Sequence, residues 1–243
     1  MSGTILTLNG LGKRFGGFTA LADLDLQVQA GERLGLIGPN GSGKSTLVNC
    51  LCGTLQNDMG QVVFDGHKLN GLSAHRRTRL GIARSFQLPR PFATMTLAEN
   101  IRVPLLYAAN ARESVAVADI ARRCDELLDM VGLASKSADK PADLTQIEMR
   151  KLELARAMAS GPKLLIADEA MAGLSHQEVD DILALLIRLN TRGVTIILIE
   201  HIMRAVLAFS QRLIVLVAGR KIADGAPRDV INQPDVVAAY LGS

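Results

Sequence analysis

Tryptophan is missing from this 243-residue chain, and aromatic residues of all kinds reach only 3%. Too few rings are present for the stacking platforms that hold unpaired bases. Long apolar runs are missing as well. The longest are six residues, as in residues 213–218 and 236–241, whereas a bilayer-crossing helix needs about 20 predominantly apolar residues, so no span is read. The first nine residues, Met-Ser-Gly-Thr-Ile-Leu-Thr-Leu-Asn, contain no basic stretch followed by an apolar one, so no secretory signal is expected. Charge of one sign is scarce: 27 basic against 24 acidic residues leave +3, too little for a field that gathers nucleic acid. The basic stretch His75-Arg76-Arg77-Thr78-Arg79 therefore reads as a solvated helix face. Cysteine occurs three times, as Cys50, Cys52 and Cys124. No metal-ligand spacing surrounds them, and they read as reduced, mostly buried thiols.

What is present is an ordinary globular composition, 48% apolar and 21% charged, enough for a full core in one large domain or two small ones. Strand-like segments open the chain at residues 4–8. An alternating run follows in which Ala22, Leu24, Leu26 and Val28 are predicted to share one face. Residues 33–37 form a short apolar run fit for a central parallel strand. A helix is expected over 44–52, closed by Gly53, and a strand at 62–64 before the tight turn Asp65-Gly66. Residues 88–160 have helical periodicity. One stripe runs through Val117, Ile120, Ala121, Cys124, Leu127, Leu128 and Val131, and Gly132 ends it. Strands alternate with helices again from 161 onward. The chain is thus read as an α/β fold: residues 1–87 and 161–243 form a parallel-sheet core with an N-terminal antiparallel β subdomain, and 88–160 form a helical insertion.

Gly38-Pro39-Asn40-Gly41-Ser42-Gly43-Lys44-Ser45 satisfies G-x-x-x-x-G-K-[ST], between an apolar strand and a helix. The glycines let successive N–H groups turn inward, and those donors with the helix N-terminus cradle phosphate oxygens. Lys44 adds a point charge, the Ser45 hydroxyl is placed for Mg²⁺, and Thr46 continues the helix beside it. Downstream, Leu164-Leu165-Ile166-Ala167 runs into Asp168 and Glu169. Adjacent strand residues point oppositely, so the two acids are expected to divide their work. Asp168 is placed for the Mg²⁺ shell, and Glu169 for orienting or deprotonating water. Glu200-His201 ends another buried strand, where a histidine reaches toward a terminal phosphate.

Taken together, these residues resemble the ATP-binding subunit of ABC transporters over essentially the whole chain. The resemblance implies a P-loop ATPase with the ABC fold that uses ATP and Mg²⁺. It places Gln87 as the glutamine that joins the metal and water site, His201 as the switch histidine, and Phe15 as the ring against adenine. Thr145 and Glu148 stand in the signature segment, which closes on the nucleotide of a second subunit. That segment reads Leu144-Thr145-Gln146-Ile147-Glu148 where the family has Leu-Ser-Gly-Gly-Gln. Both glycines are gone, and Thr145-x-x-Glu148 is a capping box that fixes a helix N-terminus. Ser175, with Glu178 as a second such box, replaces the usual Asp of the D-loop, and Ala170 replaces a usual Pro.

The run at 88–101, the Glu200-His201-Ile202-Met203 segment and the ending Ala239-Tyr240-Leu241-Gly242 resemble branched-chain amino acid importers, with urea, amide and aromatic-acid importers close by. The resemblance implies a transmembrane permease as partner, docked near residues 87–103. It also implies a second ATPase subunit, a periplasmic solute-binding protein acting indirectly, no nucleic acid, and a peripheral place on the cytoplasmic face of the inner membrane. Two rival readings stand beside it: a soluble ABC ATPase uncoupled from transport, and a nucleotide-gated module that barely hydrolyses.

Overall fold

A computed structural model describes residues 3–85, 89–109 and 117–241. Two long strands open the chain, β1 (Thr4–Phe15) and β2 (Phe18–Gln29), followed by β3 (Arg33–Ile37) and helix α1 (Lys44–Cys52). Then come β4 (Met59–Phe64), β5 (His67–Lys68), α2 (Ala74–Leu80) and β6 (Ile82–Ser85). A helical block follows: α3 (Leu97–Pro104), which widens into a π-helical turn at Leu105–Ala109, then α4 (Val117–Met130) and α5 (Gln146–Ala159). The chain ends with β7 (Leu164–Asp168), α6 (His176–Thr191), β8 (Thr195–Ile199), α7 (Met203–Phe209), β9 (Arg212–Val217), β10 (Arg220–Gly225), α8 (Pro227–Val230) and α9 (Pro234–Leu241).

The strands form two sheets. One is antiparallel, in the order β2-β1-β4-β5; the other has the order β10-β9-β3-β8-β7-β6 and is parallel except for β10. Its strands are apolar throughout because both faces are covered. Along β8, Ile196 and Leu198 join the core beneath α5 and α6, while Ile197 and Ile199 face the core shared with α1 and the antiparallel sheet. The α/β class is therefore set by period-two alternation between two separate cores.

Three local expectations are corrected. Ala22 does not share the inward face of β2. Asp23 adopts φ 52°, a bulge that puts Leu21 and Leu24 inward and leaves Ala22 half-buried. On α4, Ile120, Cys124, Leu128 and the following Val131 are buried, but Ala121 faces solvent. The basic stretch is not uniformly solvated, because Arg77 is fully buried. Its guanidinium donates to the carbonyls of Cys50, Leu51 (3.1 Å), Leu69 (2.9 Å) and Leu72 (3.1 Å). Cys50 and Leu51 lie in the last turn of α1, whose carbonyls lack helical partners and carry the negative end of the helix dipole. A lone cation is stable there because peptide dipoles, rather than a carboxylate, surround it.

The cysteines are free, with Cys50 and Cys124 buried and Cys52 half-buried. Burial pushes the Cys50 and Cys124 thiols above their ordinary range, which keeps them unreactive.

Two stability tests follow. Arg77→Met keeps the volume but strips donors from four carbonyls, and is expected to cost about 3 kcal/mol in a denaturation midpoint. A loss under about 1 kcal/mol would show that the carbonyls find other donors. On β10, burial alone would raise the Asp224 carboxyl, but hydrogen bonds from Arg212 (2.6 and 2.8 Å) and Lys221 (2.8 Å) outweigh it and hold the group below its usual range. Its stabilisation is complete above the ordinary carboxylate range and is lost as pH falls through the lowered folded value. Asp224→Asn should therefore cost about 1 kcal/mol near neutrality, with the gap to the parent closing in acid.

Candidate functional site

The P-loop joins β3 to α1, so its position follows from the centre of the parallel sheet, where β3 lies between β9 and β8. Gly43 precedes the helix at φ 105°, and a Cβ there would come within 2.6 Å of the Ala20 carbonyl. The β1–β2 hairpin therefore presses directly on the loop, which also bonds Gly219 to the Ser42 carbonyl (2.9 Å). The N-terminus of α1 has no side-chain cap and no acid in its first turn. By contrast, α3, α5 and α6 each begin with a complete capping box. The first N–H groups of α1 and its positive dipole end are thus left for an external anion, which fits a nucleotide phosphate.

Lys44 is 7% exposed. Its ammonium donates to the carbonyls of Gly38 (2.7 Å) and Pro39 (3.1 Å) and to the Ser42 hydroxyl (3.4 Å). Burial pushes it below the ordinary lysine range, and the nearby Glu169 and Asp168 carboxylates oppose that shift. Ser45 is exposed and Thr46 half-buried at the start of the helix, while Asn40 and Gly41 form the open rim of the loop.

Asp168 ends β7 and is gripped by Arg84 from the end of β6, with Oδ2 2.6 Å from the guanidinium. Arg84 also donates to Asn49 Oδ1 of α1 (2.9 Å). One oxygen of Asp168 is thereby oriented on a fixed partner. Hard oxygen donors from Ser45 and Asp168 suit Mg²⁺, which binds through a few protein oxygens plus phosphate.

The expected reason for the division between Asp168 and Glu169 is corrected. They do not alternate along one strand, because Glu169 has already left β7 in the left-handed region, at φ 49°. Its N–H donates to Ile199 of β8 (2.9 Å), so the neighbouring strand holds a conformation that costs about 1–3 kcal/mol elsewhere. The carboxylate is thereby turned to His201, whose Nε2 lies 3.1 Å from Oε1.

Gln87, with Phe86 and Leu88, lies outside the described residues. Phe15 sits at the tip of the β1–β2 hairpin, 47% exposed and opposite Phe18, with the Lys13 ammonium 5.4 Å from its ring. Thr145 caps α5 and Glu148 lies in its first turn, in the helical block. Thr145 Oγ1 accepts from the Glu148 N–H (3.4 Å), and Glu148 accepts the Thr145 N–H (2.9 Å) and an ion pair from Lys136 (2.7 Å). That ion pair, with the Thr145 bonds, holds the Glu148 carboxyl below its usual range. The box leaves the N–H groups of Gln146 and Ile147 as the other first-turn donors of α5.

Sequence reasoning missed three residues around the site. Arg84 and Glu200 act through tertiary contacts that spacing cannot reveal. Tyr240 of α9 is bonded to the Gly38 main chain, while burial pushes its phenol upward. The only sequence signal for Tyr240 was the resemblance of the chain's ending.

Residues 21–172 match the ABC transporter family model, and residues 220–243 match that of the branched-chain amino acid ATP-binding cassette transporter. The chain is 36% identical to the high-affinity branched-chain amino acid transport ATP-binding protein BraF of Pseudomonas aeruginosa, over 100% of this chain and 99% of that one. It is also 36% identical to LivG of Escherichia coli K12, over the same shares. A methionine import ATP-binding protein of Rhizobium johnstonii is 37% identical over 95% of this chain and 63% of its own length. An ATP-binding cassette of an ABC transporter, solved in its ADP conformation, superposes with a TM-score of 0.89 at 30% identity, covering all of both chains. A dimeric cassette in a post-hydrolysis state with ADP and Pi superposes with a TM-score of 0.81 at 27% identity, over 92% of this chain and 99% of that one.

Arg84→Met should free the Asp168 carboxylate from its anchor. The Mg²⁺ midpoint for binding a fluorescent ATP analogue is expected to rise about tenfold, as for other residues that orient a metal ligand. An unchanged midpoint would mean that β7 alone orients Asp168.

Proposed function

The chain belongs to the ABC transporter family as one of its ATPase subunits, and from that premise we propose that it powers import of branched-chain or closely related amino acids. In this reading it closes with a second ATPase subunit around ATP and passes that motion to a separate permease. It sits at the cytoplasmic face of the inner membrane, with a periplasmic binding protein delivering the solute. None of the described helices is long and apolar enough to cross a membrane; in this reading the route for solute lies in other chains. The names of the full-length relatives support the amino acid class, as does the C-terminal match.

The observation that carries the reading is the Glu169–His201 pair beside the P-loop, 3.1 Å apart. Phosphoryl transfer to water needs positioning and charge stabilisation more than covalent chemistry. Glu169 accepts a proton from, or orients, the attacking water, and His201 fixes the carboxylate and meets the γ-phosphate. Lys44 and the α1 amides hold the β- and γ-phosphates, from Gly38 through Ser45. Phe15 covers the adenine. Ser45, Asp168 and Gln87 would hold Mg²⁺, which supplies charge neutralisation at the phosphates when bound. Thr145 and Glu148 fix the α5 end that faces the nucleotide of the second subunit. Hydrolysis removes the γ-phosphate contacts, and the pair of subunits opens.

A groove suited to the permease lies between the core and the helical block. It is a cavity of about 310 Å³ lined by Thr78, Arg84, Phe92, Val103, Pro104 and Tyr107, among others. Phe92 and Tyr107 are 41% and 71% exposed. The groove wall is braced rather than loose. Arg156 lies 5.2 Å from the Phe92 ring and donates to the Arg90 carbonyl (2.9 Å). Buried Asn100 holds Phe92 through both its N–H (2.8 Å) and its carbonyl (3.1 Å). Exposed rings on a braced wall suit an inserted helix from a membrane partner.

Glu169→Gln saturated with MgATP should elute with the mass of two chains in light scattering, while Lys44→Ala should bind no ATP and stay single. A Glu169→Gln form that remains monomeric when saturated contradicts the two-subunit reading. With the permease present, wild type should turn over ATP about a hundredfold or more faster than Glu169→Gln; equal rates would favour the barely hydrolysing module.

A further inference from the structure

We propose that Glu200 is a positioning residue that couples the switch histidine to the first turn of α5 through the two-residue link Met171-Ala172. Glu200 directly follows β8 and is 3% exposed. Its Oε1 accepts the Met171 N–H at 2.8 Å, and its Oε2 accepts the His201 N–H at 3.3 Å. One carboxylate thus holds the loop that follows Glu169 and the residue that pairs with Glu169. The next carbonyl along that loop, of Ala172, is taken from the other side, by Gln146 Nε2 (3.4 Å) and Arg150 Nη2 (3.3 Å), both on α5. The loop tolerates this approach because its next residue is Gly173, at φ 79°, where a Cβ would stand 2.7 Å from Gln146 Nε2. Met171 is fully buried, so the link is packed as well as bonded.

The contiguous path runs His201, Glu200, Met171, Ala172, then Gln146 and Arg150. It joins the group that meets the terminal phosphate to the helix end carrying the Thr145 capping box. A carboxylate buried this deeply is costly unless its bonds are used, and burial indeed pushes Glu200 above its ordinary range. Packing alone would be served by an apolar side chain of similar size. Arg150, whose guanidinium is influenced by the charge of Glu200, closes the path electrostatically as well as through Ala172. The D-loop position that carries Asp elsewhere in the family is Ser175 here, and its hydroxyl is engaged in the α6 cap (3.4 Å to the Glu178 N–H). The consequence for a second subunit rests on the two-subunit reading above; the path itself lies within one chain.

The test uses the full chain with and without a non-hydrolysable ATP analogue. Hydrogen exchange is followed at Met171 and at residues 146–149, and nucleotide affinity is measured in parallel. In the parent, the analogue should slow exchange at these amides. Glu200→Ala should bind the analogue with unchanged affinity, lose that protection, and lower kcat about ten- to a hundredfold with little change in KM. Glu200→Gln, which keeps an acceptor for Met171, should recover most of both, and Arg150→Met should reproduce the loss from the far end. Protection in Glu200→Ala equal to the parent's overturns the proposal, as does a loss of nucleotide affinity that tracks a fall in thermal midpoint, which would make Glu200 merely structural. Because exchange is read within one chain, a parent that never dimerises would defeat the two-subunit reading while leaving this result to stand or fall by itself.

Discussion

The helix end at α1 governs the rest of the molecule. Three helix N-termini are closed by their own side chains, with Thr96, Thr145 and Ser175 each paired to a Glu three residues on. The α1 end is not closed, and the sheet points it at the edge where β7 and β8 finish. An open helix end is a standing cost unless an anion or water satisfies it. Around that end, Lys44 is held inward by loop carbonyls and supplies positive charge, while Asp168 is fixed by Arg84 and Glu169 is bent out of its strand toward His201. At its other end, α1 meets the opposite requirement, and Arg77 satisfies it. One short helix of nine residues is thus served at its C-terminal end by positive charge on its carbonyls, while its first amides are left without a side-chain cap.

The same helix shows how far the sequence could be read. The P-loop was legible because glycine, lysine and serine at fixed spacing have one physical use, and the flanking strand and helix were legible from apolar periodicity. The capping boxes at Thr145 and Ser175 were legible for the same reason: they are local, made within three residues. Arg77 was not, because the carbonyls it serves come from α1 and from the segment after β5, and nothing in the run His75-Arg76-Arg77-Thr78-Arg79 marks the middle arginine as the inward one. Ala22 failed for a related reason. Alternation assumes an unbroken pleat, and one left-handed residue, Asp23, breaks it, so that Leu21 rather than Ala22 joins Leu24 on the inward face. For Glu169 the position at a strand end was legible, while the strained backbone that aims it was not, because it depends on Ile199 of another strand. For Gln87 the motif can be read but lies outside the described residues.

The altered signature segment is best understood through what replaces its lost glycines. Two glycines would let backbone approach a phosphate closely and would leave the turn loose. Gln146 and Ile147 exclude that approach, but the Thr145–Glu148 box and the Lys136 ion pair make the turn rigid. Rigidity changes what the helix can transmit. A loose turn must be ordered by its ligand, whereas a capped one moves as a body with whatever holds its side, and here Gln146 and Arg150 hold it to Ala172. The first turn of α5 and the loop after Glu169 are therefore tied together at the Ala172 carbonyl.

That tie also constrains which substitutions the chain could accept together. Gly173 is required twice over, by its left-handed turn at φ 79° and by Gln146, which reaches over it; with a glycine at position 146, as in the family signature, only the first requirement would remain. Ala170, in place of the usual proline, leaves a main-chain N–H that proline could not supply, and Met171 follows with its own N–H already committed to Glu200. An acid before the switch histidine is in turn useful only where such an N–H is buried within reach. Of the departures from the family pattern, Gln146 bonds the loop after Glu169 directly, at Ala172, and Ala170 lies within it, where Glu200 holds the next residue, Met171. A chain that restored the family signature while keeping Glu200 would retain a buried carboxylate on Met171 but lose the Gln146 contact on the other side of the loop, leaving Arg150 as the one α5 side chain shown bonded to Ala172.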